Sequence, residues 1–112
     1  MSHHPDAPTQ PVTVPMLRRW RDEGRKIVMV TAYDSALARL VDPVVDVILV
    51  GDSVANVCLG FDSTLPVSVA MMNHHLEAVA RTKPHALLVA DMPYLSFHLS
   101  TEETLRNAGG FM

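Results

Sequence analysis

Three short apolar runs constrain the fold of this 112-residue chain more than any other feature. They are Ile27-Val28-Met29-Val30-Thr31, Val47-Ile48-Leu49-Val50 and Ala86-Leu87-Leu88-Val89-Ala90. None alternates with polar residues, so each reads as a strand, Val47–Val50 as one buried on both faces and Ala86–Ala90 as a further buried one. Between the first two lies a helical pattern. Asp34 or Ser35 is placed to cap it, Ala36, Leu37, Leu40 and Val41 recur at three- and four-residue spacing, and it stops near Pro43. A strand, helix, strand unit of that length favours parallel pairing through a crossover. The order then repeats. Ser68 caps a predicted helix with Val69, Met72, Leu76 and Val79 on one face, and Ser100-Thr101-Glu102-Glu103 forms a capping box. That last helix runs through Leu105 and Ala108, and Gly109-Gly110 interrupts it. The pattern predicts an α/β fold with a parallel sheet and about three βα units.

Composition limits what such a fold can serve. A net charge of −3 and a pI near 6.0 give no basic footprint for nucleic acid. The one cysteine, Cys58, excludes an internal disulfide and a four-cysteine metal site and suits a reducing compartment. No apolar run approaches the ~20 residues that span a bilayer, and the N-terminus lacks the basic-then-apolar order of a signal peptide. These observations predict a soluble, cytoplasmic protein with no membrane partner. Residues 1–12, with Pro5, Pro8 and Pro11, form a flexible tail, and residues 13–112 form the domain. His3 and His4 read as a solvated pair in that tail. Thr13 caps a short helix with Pro15 in its first turn, Leu17 and Trp20 inward, and Gly24 as its stop.

The chemistry gathers where the strands end. Val50 gives way to Gly51-Asp52-Ser53, and Ala90 to Asp91-Met92-Pro93. Ligands bind at the carboxyl ends of parallel strands, so Asp52 and Asp91 belong on one rim. Neighbouring strands lie roughly 5 Å apart, close enough for two carboxylates to share an ion. Carboxylates without paired His or Cys favour a hard cation such as Mg²⁺, which leaves positions free for a bidentate ligand such as an α-keto acid. The plainer reading stays open: Asp52 and Ser53 form a turn or cap a helix. The connection from Gly51 to Pro66 is long, as functional loops are. Met71 and Met72 read as gap-filling core. His74 and His75, being adjacent, diverge by about 100° on a helix and do not chelate one metal; they read as surface or core-edge residues.

Thr31-Ala32-Tyr33-Asp34, Val50-Gly51-Asp52-Ser53, Gly60-Phe61-Asp62-Ser63-Thr64-Leu65-Pro66-Val67 and Ala90-Asp91-Met92-Pro93 together resemble the N-terminal portion of the ketopantoate hydroxymethyltransferase family, from about Met16 onward. The resemblance implies a partial (β/α)8 TIM barrel of the phosphoenolpyruvate/pyruvate type. It implies transfer of a hydroxymethyl group from 5,10-methylenetetrahydrofolate to 3-methyl-2-oxobutanoate, giving 2-dehydropantoate in pantothenate biosynthesis. By position, Asp52 and Asp91 correspond to Mg²⁺ ligands, and Asp52, Ser53 and Asp91 to the keto-acid site. Asp62 to Pro66 correspond to an ordered loop beside it. The resemblance further implies a homo-oligomer. The family's strand-end Lys and Glu and its general-base Glu have no counterpart here, so no catalytic residue is assigned. A whole barrel needs roughly 250 residues, and the last strand is expected to face an open edge. The alternative expectation is therefore an inactive, truncated fragment, stable only when packed on another chain.

Overall fold

In a computed structural model, which describes residues 10–94, 96–97 and 100–112, strand β2 (Val47–Val50) lies at the centre of a three-stranded parallel sheet. Strand β1 (Met29–Thr31) pairs on one side, with Met29 opposite Val47 and Thr31 opposite Leu49. Strand β3 (Leu87–Ala90) pairs on the other, from Leu87 opposite Val47 to Ala90 opposite Val50. β2 meets the expectation of burial on both faces, with Val47, Ile48 and Val50 buried, whereas β3, also expected to be buried, is only half-buried. β1 and β3 are edge strands, so Met29 stays 57% exposed and Val89 is exposed too. β1 is also shorter than expected. The Asp46 carboxylate, rather than a backbone carbonyl, takes the Val28 N–H at 3.0 Å, and Ile27 and Val28 are exposed.

Helices α1 (Val14–Asp22), α2 (Ser35–Val41), α3 (Val54–Val57), α4 (Val69–Ala80) and α5 (Thr101–Gly110) complete the order, with a 3-10 turn over Asp42–Val44 after α2. Thr13, Asp34, Ser68 and Ser100 each cap a helix as their side chains suit them to do, accepting from the N–H groups of Met16, Leu37, Met71 and Glu103. α1 ends as expected before Gly24, whose φ of +77° favours glycine. Its Leu17 and Trp20, expected inward, are only half-buried; the Arg25 guanidinium lies 3.7 Å over the Trp20 ring. Of the expected tail, residues 1–9, including His3 and His4, lie outside the described residues. Val12 is buried and donates its N–H to the His85 carbonyl at 2.8 Å.

The core lies between the sheet and α4. Ile48, Val50, Val54, Met72 and Val79 are its largest fully buried aliphatic side chains. Two expectations about packing need correction. α2 has seven residues and turns Ala38 and Val41 inward, so Leu37 and Leu40 fall on its flank, with Leu40 74% exposed. Of the two methionines on α4, Met72 fills the core while Met71 faces out. α5 is not interrupted at Gly109-Gly110 but runs through both. A glycine costs a helix about 1 kcal/mol, and here the backbone bonds persist while Phe111 packs against the core.

Candidate active site

The parallel register brings the ends of all three strands to one rim. The ladder continues one step past β3, with the Asp91 N–H donating to the Val50 carbonyl at 3.1 Å. It continues past β1 in the same way, from the Ala32 N–H to the Leu49 carbonyl at 3.1 Å. Asp91 therefore stands beside Gly51 and Asp52, and Tyr33 stands on the far side of β2 at the same level.

Three polar side chains, of Asp91, Ser53 and Tyr33, meet there around the backbone of Gly51 and Asp52. Asp91 Oδ2 accepts from the backbone N–H of Asp52 at 3.2 Å. Asp52, Ser53 and Asp91 are each half-buried. Gly51 is buried beneath them, and a Cβ at that position would lie 3.2 Å from Asp91 Oδ2 and 3.3 Å from Ser53 Oγ. The carboxylate and the hydroxyl thus close over a space that only a residue without a side chain leaves clear. The third side chain is that of Tyr33, its hydroxyl 2.5 Å from Ser53 Oγ.

The turn reading and the site reading describe the same residues. Asp52 and Ser53 do form a turn into α3, with the Val54 N–H donating to the Gly51 carbonyl. Yet Ser53, at the N-cap of α3, makes no capping bond with its side chain. Tyr33 is the residue that sequence reasoning missed. The signal was present: it follows β1 by two residues, as Asp52 follows β2. His75, expected at the core edge, is half-buried, and its Nδ1 lies 2.8 Å from the Tyr33 carbonyl. A carbonyl only accepts, so Nδ1 carries the proton. His74 is exposed and meets His75 edge-on, ring centroids 5.4 Å apart.

The Gly51–Pro66 connection is not a plain loop. It contains α3 and is tied back by the Phe61 N–H to the Ala55 carbonyl (2.8 Å) and by Asn56 Nδ2 to the Phe61 carbonyl (2.9 Å). Beyond it a groove of about 440 Å³, lined by Leu59, Phe61, Ala70, Met71, His74 and His75, shares His75 with the rim. Among the described residues, no three His, Cys, Asp or Glu side chains are grouped to hold a metal ion.

The chain is thus a parallel α/β protein with polar side chains at the carboxyl ends of consecutive strands, the end of such sheets where ligands bind in general. Comparison with known proteins narrows the class. The family model for ketopantoate hydroxymethyltransferase matches residues 11–112, and the chain belongs to that family. It is 70% identical over 112 residues to 3-methyl-2-oxobutanoate hydroxymethyltransferase 2 of Bradyrhizobium diazoefficiens, covering all of this chain and 38% of that protein. It is 74% identical over 117 aligned positions to the 3-methyl-2-oxobutanoate hydroxymethyltransferase of a Methylobacterium species, covering all of this chain and 41% of that protein. The chain thus spans about two fifths of the length of these curated relatives.

Proposed function

We propose that the chain takes part in transferring a hydroxymethyl group from 5,10-methylenetetrahydrofolate to 3-methyl-2-oxobutanoate, forming 2-dehydropantoate for pantothenate synthesis. The observation that carries this reading is the Asp52–Asp91 contact over Gly51, beside the Ser53 hydroxyl, in a chain of this family. On this reading the three βα units are part of a (β/α)8 barrel of the phosphoenolpyruvate/pyruvate type, whose active site lies at the carboxyl ends of its strands.

The residues present fit a hard divalent cation. Two carboxylates and a hydroxyl are oxygen donors, and Gly51 keeps the space between Asp91 Oδ2 and Ser53 Oγ free of a side chain. Asp52 and Asp91 would hold Mg²⁺. When bound, the ion supplies a Lewis acid that polarises the keto group and makes the neighbouring C–H more acidic. The protein's own work is positional. The Asp52 N–H fixes one oxygen of Asp91. Ser53 offers a hydroxyl to an oxygen of the keto acid, and β2 and β3 hold these groups on rigid backbone. None of the three is assigned the removal of the proton.

The other parts of the reading follow from the same family. They are a homo-oligomeric assembly, a cytoplasmic location, and small-molecule partners rather than nucleic acid, in keeping with the net charge of −3. No helix among the described residues is long and apolar enough to cross a membrane. The alternative of an inert fragment held on another chain gains no support from relatives that carry the transferase name. The test uses the protein expressed from its own gene. 2-Dehydropantoate formation is expected to require the keto acid, the folate and Mg²⁺, and to stop on chelation. Absence of folate-dependent product overturns the proposal.

A further inference from the structure

We infer that Tyr33, whose backbone carbonyl is held by His75, is a positioning residue for the keto-acid site, and that its hydroxyl sets the direction in which Ser53 presents its own. The inference rests on the reading above that Ser53 faces the keto acid.

Ser53 is the exception among the helix caps. Thr13, Asp34, Ser68 and Ser100 turn their side chains onto their helices' first N–H groups. Ser53, whose backbone is helical rather than extended at the start of the four-residue α3, makes no such bond and pairs with Tyr33, at 2.5 Å. That conformation turns its hydroxyl away from the helix N–H groups, and Tyr33 is the partner it meets. Two hydroxyls that meet must choose a donor, and a phenol is the stronger one. With Tyr33 donating, Ser53 Oγ accepts, and its own proton is left to point away from Tyr33. Ser53 Oγ also lies above Gly51, on the side where Asp91 Oδ2 sits. A ligand oxygen entering between them meets an O–H already aimed.

Tyr33 can do this only if it does not move, and two features hold it. Its ring is buried, 7% exposed, among the core residues. Its carbonyl accepts the Nδ1–H of His75 from the middle of α4 at 2.8 Å. The path joins three elements: α4 holds the end of β1, and the end of β1 holds the residue after β2. A residue that served packing alone would need no hydroxyl, since phenylalanine fills nearly the same volume.

The test separates aim from packing. In the protein expressed from its own gene, Tyr33→Phe is expected to raise KM for 3-methyl-2-oxobutanoate about three- to ten-fold, the loss of one hydrogen bond, while kcat changes less than about two-fold. Ser53→Ala is expected to raise the same KM by at least as much, and Tyr33→Phe added to Ser53→Ala to have no further effect. His75→Phe, which removes the clamp and leaves every hydroxyl in place, raises KM in the same direction by less. If Ser53→Ala raises KM and Tyr33→Phe does not, this inference falls and the site reading survives. If the two effects multiply, Tyr33 acts independently of Ser53 and the inference also falls. If Ser53→Ala leaves KM unchanged, the reading of Ser53 as a keto-acid contact falls and takes the inference with it. Should Tyr33→Phe not fold, 3-fluorotyrosine at position 33 keeps the ring and strengthens the hydroxyl as a donor; an unchanged KM there overturns the inference.

Discussion

Asp52 and Asp91 stand 39 residues apart in the chain, and the backbone N–H of the first donates to the carboxylate of the second at 3.2 Å. The parallel pairing of β2 with β3 is the cause: with Val50 opposite Ala90, the next residues on each strand leave the sheet together. The bond fixes one oxygen of Asp91 without using the carboxylate of Asp52.

That geometry makes Asp91→Asn informative. Asparagine retains an oxygen that can accept the Asp52 N–H, so the fold is kept, while the negative charge is gone. Mg²⁺ affinity, measured by titration calorimetry, is expected to fall at least about 100-fold, since disturbing even the partners of a ligand costs 10- to 100-fold. The thermal midpoint should stay within about 3 °C, a change of well under 1 kcal/mol. Unchanged Mg²⁺ affinity would rule Asp91 out as a ligand.

Two glycines should respond in opposite ways to alanine. At Gly51 the new Cβ forces Asp91 Oδ2 and Ser53 Oγ to retreat by a few tenths of an ångström. Keto-acid KM is expected to rise about five- to ten-fold, given that a 1 Å displacement can cost about 10²-fold. Gly60 has open space around it but a φ of +76°. Gly60→Ala should therefore cost about 1–2 kcal/mol of stability and leave KM alone. Kinetics and urea unfolding on the two variants distinguish the outcomes, and the reverse pattern would refute the placement of Gly51 under the site.

The opposite end of the sheet is held by Asp42. Its carboxylate accepts from the N–H groups of His85 (3.1 Å) and Ala86 (2.9 Å), and His85 Nδ1 lies 3.0 Å away. Asp42→Ala leaves those donors unpaired at the start of β3. A loss of about 2–3 kcal/mol is expected, read by urea unfolding, with KM for the keto acid unchanged because the rim lies at the other end of the strands. A loss below 0.5 kcal/mol, the range of ordinary surface changes, would show that the clamp is not structural.

Met71 and Met72 are adjacent, yet α4 places one outside and one in the core. Met72→Ala is expected to destabilise by about 2–5 kcal/mol, because Met72 is fully buried. Met71→Ala should lie within about 0.5 kcal/mol of the parent, because Met71 is 39% exposed. Equal effects would contradict the orientation of α4.

Local chemistry made much of this legible in the sequence. Runs such as Val47–Val50 and Leu87–Ala90 form strands, and Thr13, Asp34, Ser68 and Ser100 carry capping oxygens that act on groups three residues away. The placement of Asp52 and Asp91 at strand ends was readable for the same reason. Long-range packing was not. Leu37 and Leu40 have helical spacing that suits an inward face, but which side of a seven-residue helix meets a sheet depends on what lies across from it. The glycines of α5 look like a stop, but a docked Phe111 and intact backbone bonds outweigh their modest cost.

Sequence alone determined the order of the three strands, where α1, α2, α4 and α5 begin, and which residues of hard-oxygen chemistry stand at the strand ends; α3, inside the Gly51–Pro66 connection, it did not give. These follow from interactions within a few residues. Only the tertiary structure decided that Asp91 receives the Asp52 N–H, that Gly51 is clear because two side chains close over it, and that Tyr33 and His75 stand behind Ser53. Each of those contacts joins strands or helices through the parallel register, and a register between distant segments is set by burying a shared core, which no local pattern encodes.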